Sequence, residues 1–331
     1  MKPPRFWSNP AHAPGLAARL LAPAGALYAR AVARRIEKTS PVDPGVPVIC
    51  IGNATLGGVG KTPFARLLME RLKARGIAGA FLSRGYGGSE KGPLRVDPHR
   101  HGAADVGDEP LMLSADAPAY IARDRAAGAR AAVADGAQAI LLDDGHQNPT
   151  LAKRLTFLLV DAETGFGNGC VFPAGPLREP ADVSAARADA LVLVKSSRDS
   201  AIRNDLAEFA PELPRLSAWL EPENAEPARV LAFCGIGRPE KFFETLRAAG
   251  FDVAETAAFG DHEPYVEADL ERLRARAQEL GARLITTEKD AARLGSAGAD
   301  IDVLKARMKV DDAALLDTLL ARAFDGTPSA R

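Results

Sequence analysis

Residues 46–62 read Val46-Pro-Val-Ile-Cys-Ile-Gly-Asn-Ala-Thr-Leu-Gly-Gly-Val-Gly-Lys-Thr62: an apolar run, a cluster of glycines, then Lys61 and Thr62 at the head of an amphipathic stretch. This is the layout of a phosphate-binding loop. Small residues let the backbone bend until several N–H groups point at one anion, the lysine reaches the outer phosphates, and the threonine hydroxyl faces a Mg²⁺. Thr55, Leu56, Gly57, Gly58, Val59, Gly60, Lys61 and Thr62 are the candidate nucleotide-binding residues, and a nucleoside triphosphate is the expected ligand. The strict pattern wants glycine where Thr55 stands. The flanks make up for that departure, because Phe64, Leu67, Leu68 and Leu72 recur at helical spacing up to Gly76, with Pro63 in the first turn where its missing N–H costs nothing.

Strand-like apolar runs alternate with helix-like stretches along the rest of the chain, at 77–83, 139–143, 155–161, 190–195, 230–235, 251–253 and 282–286. Several are apolar at every position, as in parallel strands covered by helices on both faces. The pattern predicts a doubly wound parallel sheet of the P-loop NTPase type with a second, smaller α/β domain. At 331 residues the chain exceeds the usual single-domain size, which agrees. The acid- and proline-rich stretch from Trp219 to Pro227 reads as a connection. The expected division is an N-terminal segment 1–38, a core 39–215, a linker 216–229, a smaller domain 230–304, and a strand and helix over 305–331 that return toward the core.

Three cysteines, widely separated and without a CxxC pair, argue against a disulfide framework or a zinc site. Charge is uneven: residues 1–38 hold seven Lys/Arg and one acid, net +6, against −1 for the whole chain, which leaves −7 on the remainder. Leu20 to Ala29 is an uncharged run half the ~20 residues needed to span a bilayer, and Pro23 and Gly25 interrupt it. Such a basic, amphipathic segment with Phe6, Trp7 and Tyr28 can lie on an anionic membrane surface or pack on the protein's own core.

Open α/β sheets place their chemistry at strand ends. The run Ala139-Ile-Leu-Leu-Asp-Asp-Gly-His-Gln147 ends in two acids, Asp143 and Asp144, one suited to holding Mg²⁺ and the other to positioning a nucleophile or neutralising an arginine. A second acidic pair, Asp108 and Glu109, precedes Pro110 and an apolar stretch. Read alone, it is a helix N-terminus.

Eight motifs in one order carry a more specific signal: Gly52-Asn-Ala-Thr-Leu-Gly-Gly-Val-Gly-Lys-Thr-Pro63, Leu82-Ser-Arg-Gly-Tyr-Gly87, Gly107-Asp-Glu-Pro110, Asp143-Asp-Gly-His-Gln147, Phe172-Pro-Ala-Gly-Pro-Leu-Arg-Glu179, Phe233-Cys-Gly-Ile-Gly237, Asp261-His262 and Thr287-Glu-Lys-Asp290. With them the chain resembles, nearly end to end, the tetraacyldisaccharide 4′-kinase family, the lipid A 4′-kinases of Gram-negative bacteria. It departs at His146, where the family more usually has Phe, at Cys234, where Ala is usual, and at Glu263-Pro264 after His262. The resemblance implies ATP and Mg²⁺ as cofactors and an acylated disaccharide 1-phosphate, phosphorylated on its 4′-hydroxyl to give lipid IVA, as substrate. It implies Lys61, Asp143 and Asp144 in catalysis, Asp108 as the base with His262 as its partner, and Thr62, Asp143 and Glu179 around the metal. Arg84, Tyr86, Arg123 and Arg178 become candidate headgroup ligands, since Arg forks suit phosphate and Tyr packs on a sugar face. Glu288-Lys-Asp290 either faces the nucleotide or is a surface turn. A membrane-borne substrate favours surface docking of residues 1–38, hence peripheral attachment to the cytoplasmic face of the inner membrane. Neither nucleic acid nor an obligate protein partner is expected.

Three other readings share the loop. A partitioning-type switch ATPase usually carries a signature Lys where this chain has Leu56, and the guanine-reading Asn/Thr-Lys-x-Asp pattern of a GTPase is not matched by Thr287-Glu-Lys-Asp290. A soluble small-molecule kinase has no use for the basic, apolar N-terminus.

Overall fold

The computed structural model describes residues 3–223, 226–260 and 263–325. The runs that are apolar throughout become the central strands. In chain order the strands are β1 (Val48–Asn53), β2 (Gly79–Ser83), β3 (Leu94–Arg95), β4 (Ala119–Ile121), β5 (Ala139–Asp143), β6 (Leu155–Asp161), β7 (Ala190–Lys195), β8 (Arg215–Pro222), β9 (Arg229–Cys234), β10 (Asp252–Ala258), β11 (Arg283–Thr287), β12 (Asp302–Leu304) and β13 (Ala306–Val310). They form a nine-stranded sheet ordered β13-β8-β7-β6-β1-β5-β2-β4-β3 and a four-stranded sheet ordered β10-β9-β11-β12. The larger sheet is parallel except at its two edges, where β13 and β3 run antiparallel to their neighbours.

Alternate residues of the central strands feed two separate cores. Ile49, Ile51, Phe81, Leu141, Phe157 and Leu159 pack with Phe64 and Leu68 of the helix Lys61–Ala74 and with Leu316, Leu319 and Leu320 of the helix Ala313–Arg322. Phe64 meets Phe157 edge-on at 5.2 Å. On the opposite face Val48, Cys50, Leu82, Ile140 and Leu142 pack on the small-residue face of the helix Arg125–Ala134. Both faces are thus covered, which is why these strands carry no polar/apolar alternation.

The expected linker 216–229 is corrected. Residues 216–222 belong to β8, parallel to β7 and antiparallel to β13. Leu216 and Ala218 point into the core, so only the end of the segment has the polar composition of a connection. The strand stays in the sheet because the returning β13 pairs its outer edge. Of the described residues between β8 and β9, only 223 and 226–228 lie outside a strand.

A second correction concerns the N-terminal segment, where one helix, Leu16–Lys38, runs through both Pro23 and Gly25. Pro23 forfeits a bond to the Arg19 carbonyl, but residues 19–24 are all exposed and water can take the donor's place. Gly25 is buried for a packing reason: a Cβ there would lie 2.7 Å from the Val171 carbonyl oxygen. With Ala18 and Val32 it forms the buried line of the helix. Trp7 adds a bond from Nε1 to the Pro173 carbonyl at 3.2 Å, and Tyr28 meets Phe172 edge-on at 5.5 Å. No helix among the described residues is long and apolar enough to cross a membrane.

Gly25→Ala tests this docking. Overpacking against a fixed carbonyl costs ~1–3 kcal/mol, which exceeds the ~1 kcal/mol that alanine gains in helix propensity. Trypsin should therefore cut faster at Arg30 and Arg34 in the variant. Unchanged cleavage would mean that the helix does not rest on Val171.

Candidate active site

β1 ends at Asn53, a fully buried residue that organises the loop after it. Its side-chain amide donates to the carbonyls of Thr55 at 2.7 Å and Gly57 at 3.3 Å, and its Oδ1 accepts from Lys61 Nζ at 3.3 Å. Gly57 (φ 110°) and Gly60 (φ 89°) hold backbone conformations that a side chain would strain. A Cβ at Gly57 or Gly58 would meet only open space, so the cradle is free for a ligand to approach. The loop is braced from outside by the 171–179 segment, through Leu56 N–H to the Pro176 carbonyl at 2.7 Å and Arg178 N–H to the Ala54 carbonyl at 2.8 Å.

The two acids ending β5 sit in different surroundings. Asp143 is buried; its Oδ2 accepts from the Thr62 hydroxyl at 3.5 Å, while its Oδ1 is buried without a hydrogen-bond partner. Burial, then the nearby Glu109 charge, push its carboxyl up to about 7, with Lys61 opposing. Asp144, at φ 53°, turns the other way to meet Arg178 at 2.8 Å and Lys61 at 3.6 Å. Desolvation would raise its carboxyl, but those two cations outweigh it and hold the group at about 2. An oxygen left without a proton donor beside a threonine hydroxyl suits a divalent cation. Among the described residues no group of three or more His, Cys, Asp or Glu side chains could hold a metal ion by itself.

Glu179 lies in a buried polar chain beneath the loop, where Oε1 accepts from Gln147 Nε2 at 2.9 Å, the Ser184 hydroxyl at 2.8 Å and Arg187 at 2.6 Å. Burial alone would raise its carboxyl; Arg187 and Gln147 bring it below the usual range. Gln147 Nε2 also donates to the Asn53 carbonyl at 3.1 Å. These bonds join Glu179 to the loop through Gln147 and Asn53; none reaches Thr62 or Asp143.

Asp108 opens the helix Asp108–Ser114 and is buried. Its Oδ1 accepts the Glu109 N–H at 2.9 Å, and its Oδ2 lies 3.4 Å from Arg293 Nε and 3.8 Å from Lys289 Nζ, both from the smaller domain. His262 and Asp261 lie outside the described residues. Thr287-Glu-Lys-Asp290 is not a surface turn. Thr287 caps the helix Glu288–Leu294, Glu288 pairs with Arg66 at 2.9 Å, Lys289 reaches Asp108 and Glu109, and Asp290 is fully buried. The motif joins the two sheets' domains.

Of the headgroup candidates, Arg84, Tyr86 and Arg123 are exposed on loops following β2 and β4, and Arg178 pairs with Asp144. Sequence reasoning missed Arg125. It is buried, bonds the Ala122 carbonyl at 2.6 Å, and leaves Nε without a partner. Burial, then Arg84, lower its guanidinium to about 10, while Asp144 and Asp143 work against the drop. A signal was present: Arg125 begins a helix capped by Asp124, and a cation at the positive end of a helix is electrostatically misplaced unless something else requires it.

A family model described as tetraacyldisaccharide-1-P 4′-kinase matches residues 17–324. The chain belongs to that family. The tetraacyldisaccharide 4′-kinase of Dinoroseobacter shibae is 51% identical over 98% of this chain and 99% of its own length, and that of Rhodospirillum rubrum is 46% identical over 98% and 99%. The crystal structure of LpxK from Aquifex aeolicus, titled as the "apo" form in complex with ATP, is similar at a TM-score of 0.75 and 28% identity, covering 93% of this chain and 100% of that one. With membership in the tetraacyldisaccharide 4′-kinase family comes its reaction, the ATP-dependent phosphorylation of tetraacyldisaccharide 1-phosphate to lipid IVA. This kinase is a phosphotransferase of lipid A biosynthesis, and family membership implies use of ATP and Mg²⁺.

His146 is a buried imidazole whose environment disfavours the charged form. Its Nε2 lies 3.1 Å from the Ser184 carbonyl, and burial, then Arg187 and Lys153, pull its imidazole down to about 3. Between the unfolded value of ~6.5 and that value only the unfolded chain takes up the proton, so stability falls as pH falls, by up to about 1 kcal/mol per pH unit. His146→Phe should flatten the fall in melting temperature between pH 7.5 and 5, whatever its effect at pH 7.5. Parallel curves for the two proteins would show that His146 protonates in the folded state.

Proposed function

We propose that the phosphoryl transfer is divided among the residues as follows. The N–H groups of residues 57–62 and the Lys61 ammonium hold the outer phosphates of ATP; Thr62 and Asp143 hold Mg²⁺. Bound there, Mg²⁺ neutralises charge on the transferring group. Asp144 fixes Lys61 and Arg178 against the phosphates. Asp108 accepts the proton of the 4′-hydroxyl as its oxygen bonds to the γ-phosphorus and the bond to ADP breaks, and His262 is its partner. Glu179 acts on the metal site through Gln147 and Asn53. Arg84, Tyr86, Arg123 and Arg178 contact the headgroup, with Arg125 behind them. The observation that carries this reading is the buried, unpartnered Oδ1 of Asp143 beside the Thr62 hydroxyl at the mouth of the Lys61 loop.

Attachment to the membrane belongs to the helix Leu16–Lys38. Leu16, Leu20 and Leu27 are 74%, 71% and 66% exposed. At ~100° per residue the three fall within about 40° of one another, on the side opposite the buried line of Ala18, Gly25 and Val32. A row of exposed leucines flanked by Arg30 and Arg34 suits the surface of an anionic bilayer. The cytoplasmic face of the inner membrane is the one that offers ATP.

Incubation with γ-labelled ATP, Mg²⁺ and a panel of acceptors including tetraacyldisaccharide 1-phosphate should place label on that lipid; label on water or protein alone would overturn the reading. Lys61→Ala should lower turnover by ~10²–10³, the usual cost of losing one charge-stabilising contact. A variant retaining half the wild-type rate at saturating ATP would remove Lys61 from the site.

For the membrane face, Leu16→Ser, Leu20→Ser and Leu27→Ser together, or Arg30→Gln with Arg34→Gln, should reduce sedimentation with vesicles containing anionic lipid while leaving ATP binding intact. The arginine effect should vanish at high salt. Unchanged sedimentation of both variants would return the helix to a packing role.

A further inference from the structure

Arg293 is set where the two domains meet, and every part of its guanidinium has a place. NH2 donates to the Gly235 carbonyl at 2.8 Å and lies 3.0 Å from Asp290 Oδ1; NH1 donates to the Glu263 carbonyl at 3.1 Å. The planar group lies over the Tyr265 ring, 5.8 Å from its centre. The terminal nitrogens are thus taken up by three pieces of the smaller domain: the loop after β9, the chain directly following His262, and the helix Glu288–Leu294. Nε alone faces the larger domain. It lies 3.4 Å from Asp108 Oδ2 and makes no hydrogen bond. Arg293 and Asp108 are each less than 10% exposed at the side chain, so this charge contact is more shielded from solvent than the partly exposed ion pairs elsewhere between the domains. Lys289, from the same helix, adds a second, looser contact at 3.8 Å.

We infer that Arg293 is a positioning residue for the reaction: it ties the location of Asp108 to the seating of the smaller domain. A lysine could supply the charge but not the fork, since one ammonium cannot reach two carbonyls, a buried carboxylate and Asp108 at once. The contact between Arg293 and Asp108 is one of charge. The inference rests on the reading of Asp108 as the base. It gives that residue a neighbour whose own anchors lie entirely in the other domain, so the base is correctly placed only when both domains are together.

The experiment is a double-mutant cycle on the full-length protein with saturating Mg²⁺ and labelled ATP, reading kcat, KM for ATP and KM for the lipid acceptor. Arg293→Gln should lower kcat about 10- to 100-fold, the scale of a misplaced catalytic group, with KM for ATP unchanged within about twofold. Arg293→Lys should fall between the variant and the wild type. In an Asp108→Asn background, Arg293→Gln should have almost no further effect on kcat. Glu288→Gln breaks the neighbouring interdomain pair with Arg66 without touching Asp108 and should cost less than about threefold. Two results overturn the inference. One is a double variant whose loss equals the product of the single losses; the other is Glu288→Gln costing as much as Arg293→Gln, which would make domain seating the whole effect. Should Arg293→Gln not fold, Arg293→Lys in the same cycle decides by the same criterion. If Asp108→Asn by itself keeps most of the wild-type kcat, the base assignment fails and Arg293 falls with it, a result distinct from the other two.

Discussion

One buried side chain, Asn53, connects the parts of the Lys61 loop to the buried polar groups beneath it. Its amide holds two carbonyls of the loop and its oxygen receives Lys61, while its backbone carbonyl receives Gln147. Gln147 carries the connection on to Glu179, and Glu179 to Arg187. No atom of this chain is replaceable by water at low cost, because leaving a buried polar group unpaired costs ~1–3 kcal/mol. The loop's shape is therefore fixed before ATP arrives, and binding energy need not be spent on ordering it. The same network sets the contrast between the two acids of β5: Lys61, directed by Asn53, stands beside Asp144, while Asp143 keeps an oxygen without a hydrogen-bond partner among the described residues.

The contact between the domains is of a different kind. On one side Arg66 meets Glu288 and Lys289 meets Glu109. On the other, at the end of β6, Lys241 meets Asp161 at 2.8 Å and Arg238 meets Glu163 at 3.1 Å. Burial would raise the Asp161 carboxyl, yet Lys241 and Arg238 hold it at about 2. Most of these groups are partly exposed, where an ion pair is worth ~0–1 kcal/mol. These contacts are weak beside the cores they join, since the larger and the smaller domain each have their own apolar clusters. Among the described residues the pair between Arg293 and Asp108 is the most shielded from solvent of these interdomain contacts.

What could be read in the sequence follows from which physical signals are local. The loop, the strands β1, β5, β6 and β7 and the acids ending β5 declare themselves because burial on both faces demands continuous apolar runs and phosphate binding demands glycines in a fixed place. β3, β4 and β12 are two or three residues long, too short for any periodicity, and with the edge strand β13 are held by their neighbours in the sheet. β8 was misread because its far edge is paired by a strand more than eighty residues later, a non-local fact. Arg125 was passed over for Arg123 because adjacent arginines look alike until a helix start buries one of them. Thr287-Glu-Lys-Asp290 was recognised as a motif, but its role as the joint between domains depends on Arg66 and Asp108, which lie more than 170 positions earlier.

Pro23 shows how a local rule yields to the solvent a segment meets. Inside a globular core a mid-helix proline leaves a carbonyl unpaired and is costly; on a helix whose residues 19–24 are exposed, water can satisfy that carbonyl. The helix docks by a line so thin that only Ala18, Gly25 and Val32 are buried, and Gly25 permits backbone-close approach to Val171. That thinness leaves the leucine row free on the far side. At its C-terminal end Arg35 donates to the Gln147 carbonyl at 2.9 Å, so the helix ends on the same residue that links Glu179 to the phosphate-binding loop. A helix laid on a bilayer by its leucines would thereby hold the catalytic mouth at a fixed height above the surface. An acyl-disaccharide could then present its headgroup to the site while its chains remain in the lipid. For such a substrate, full extraction would expose several acyl chains to water at ~0.8 kcal/mol per CH₂, a cost no pocket of ordinary affinity could recover.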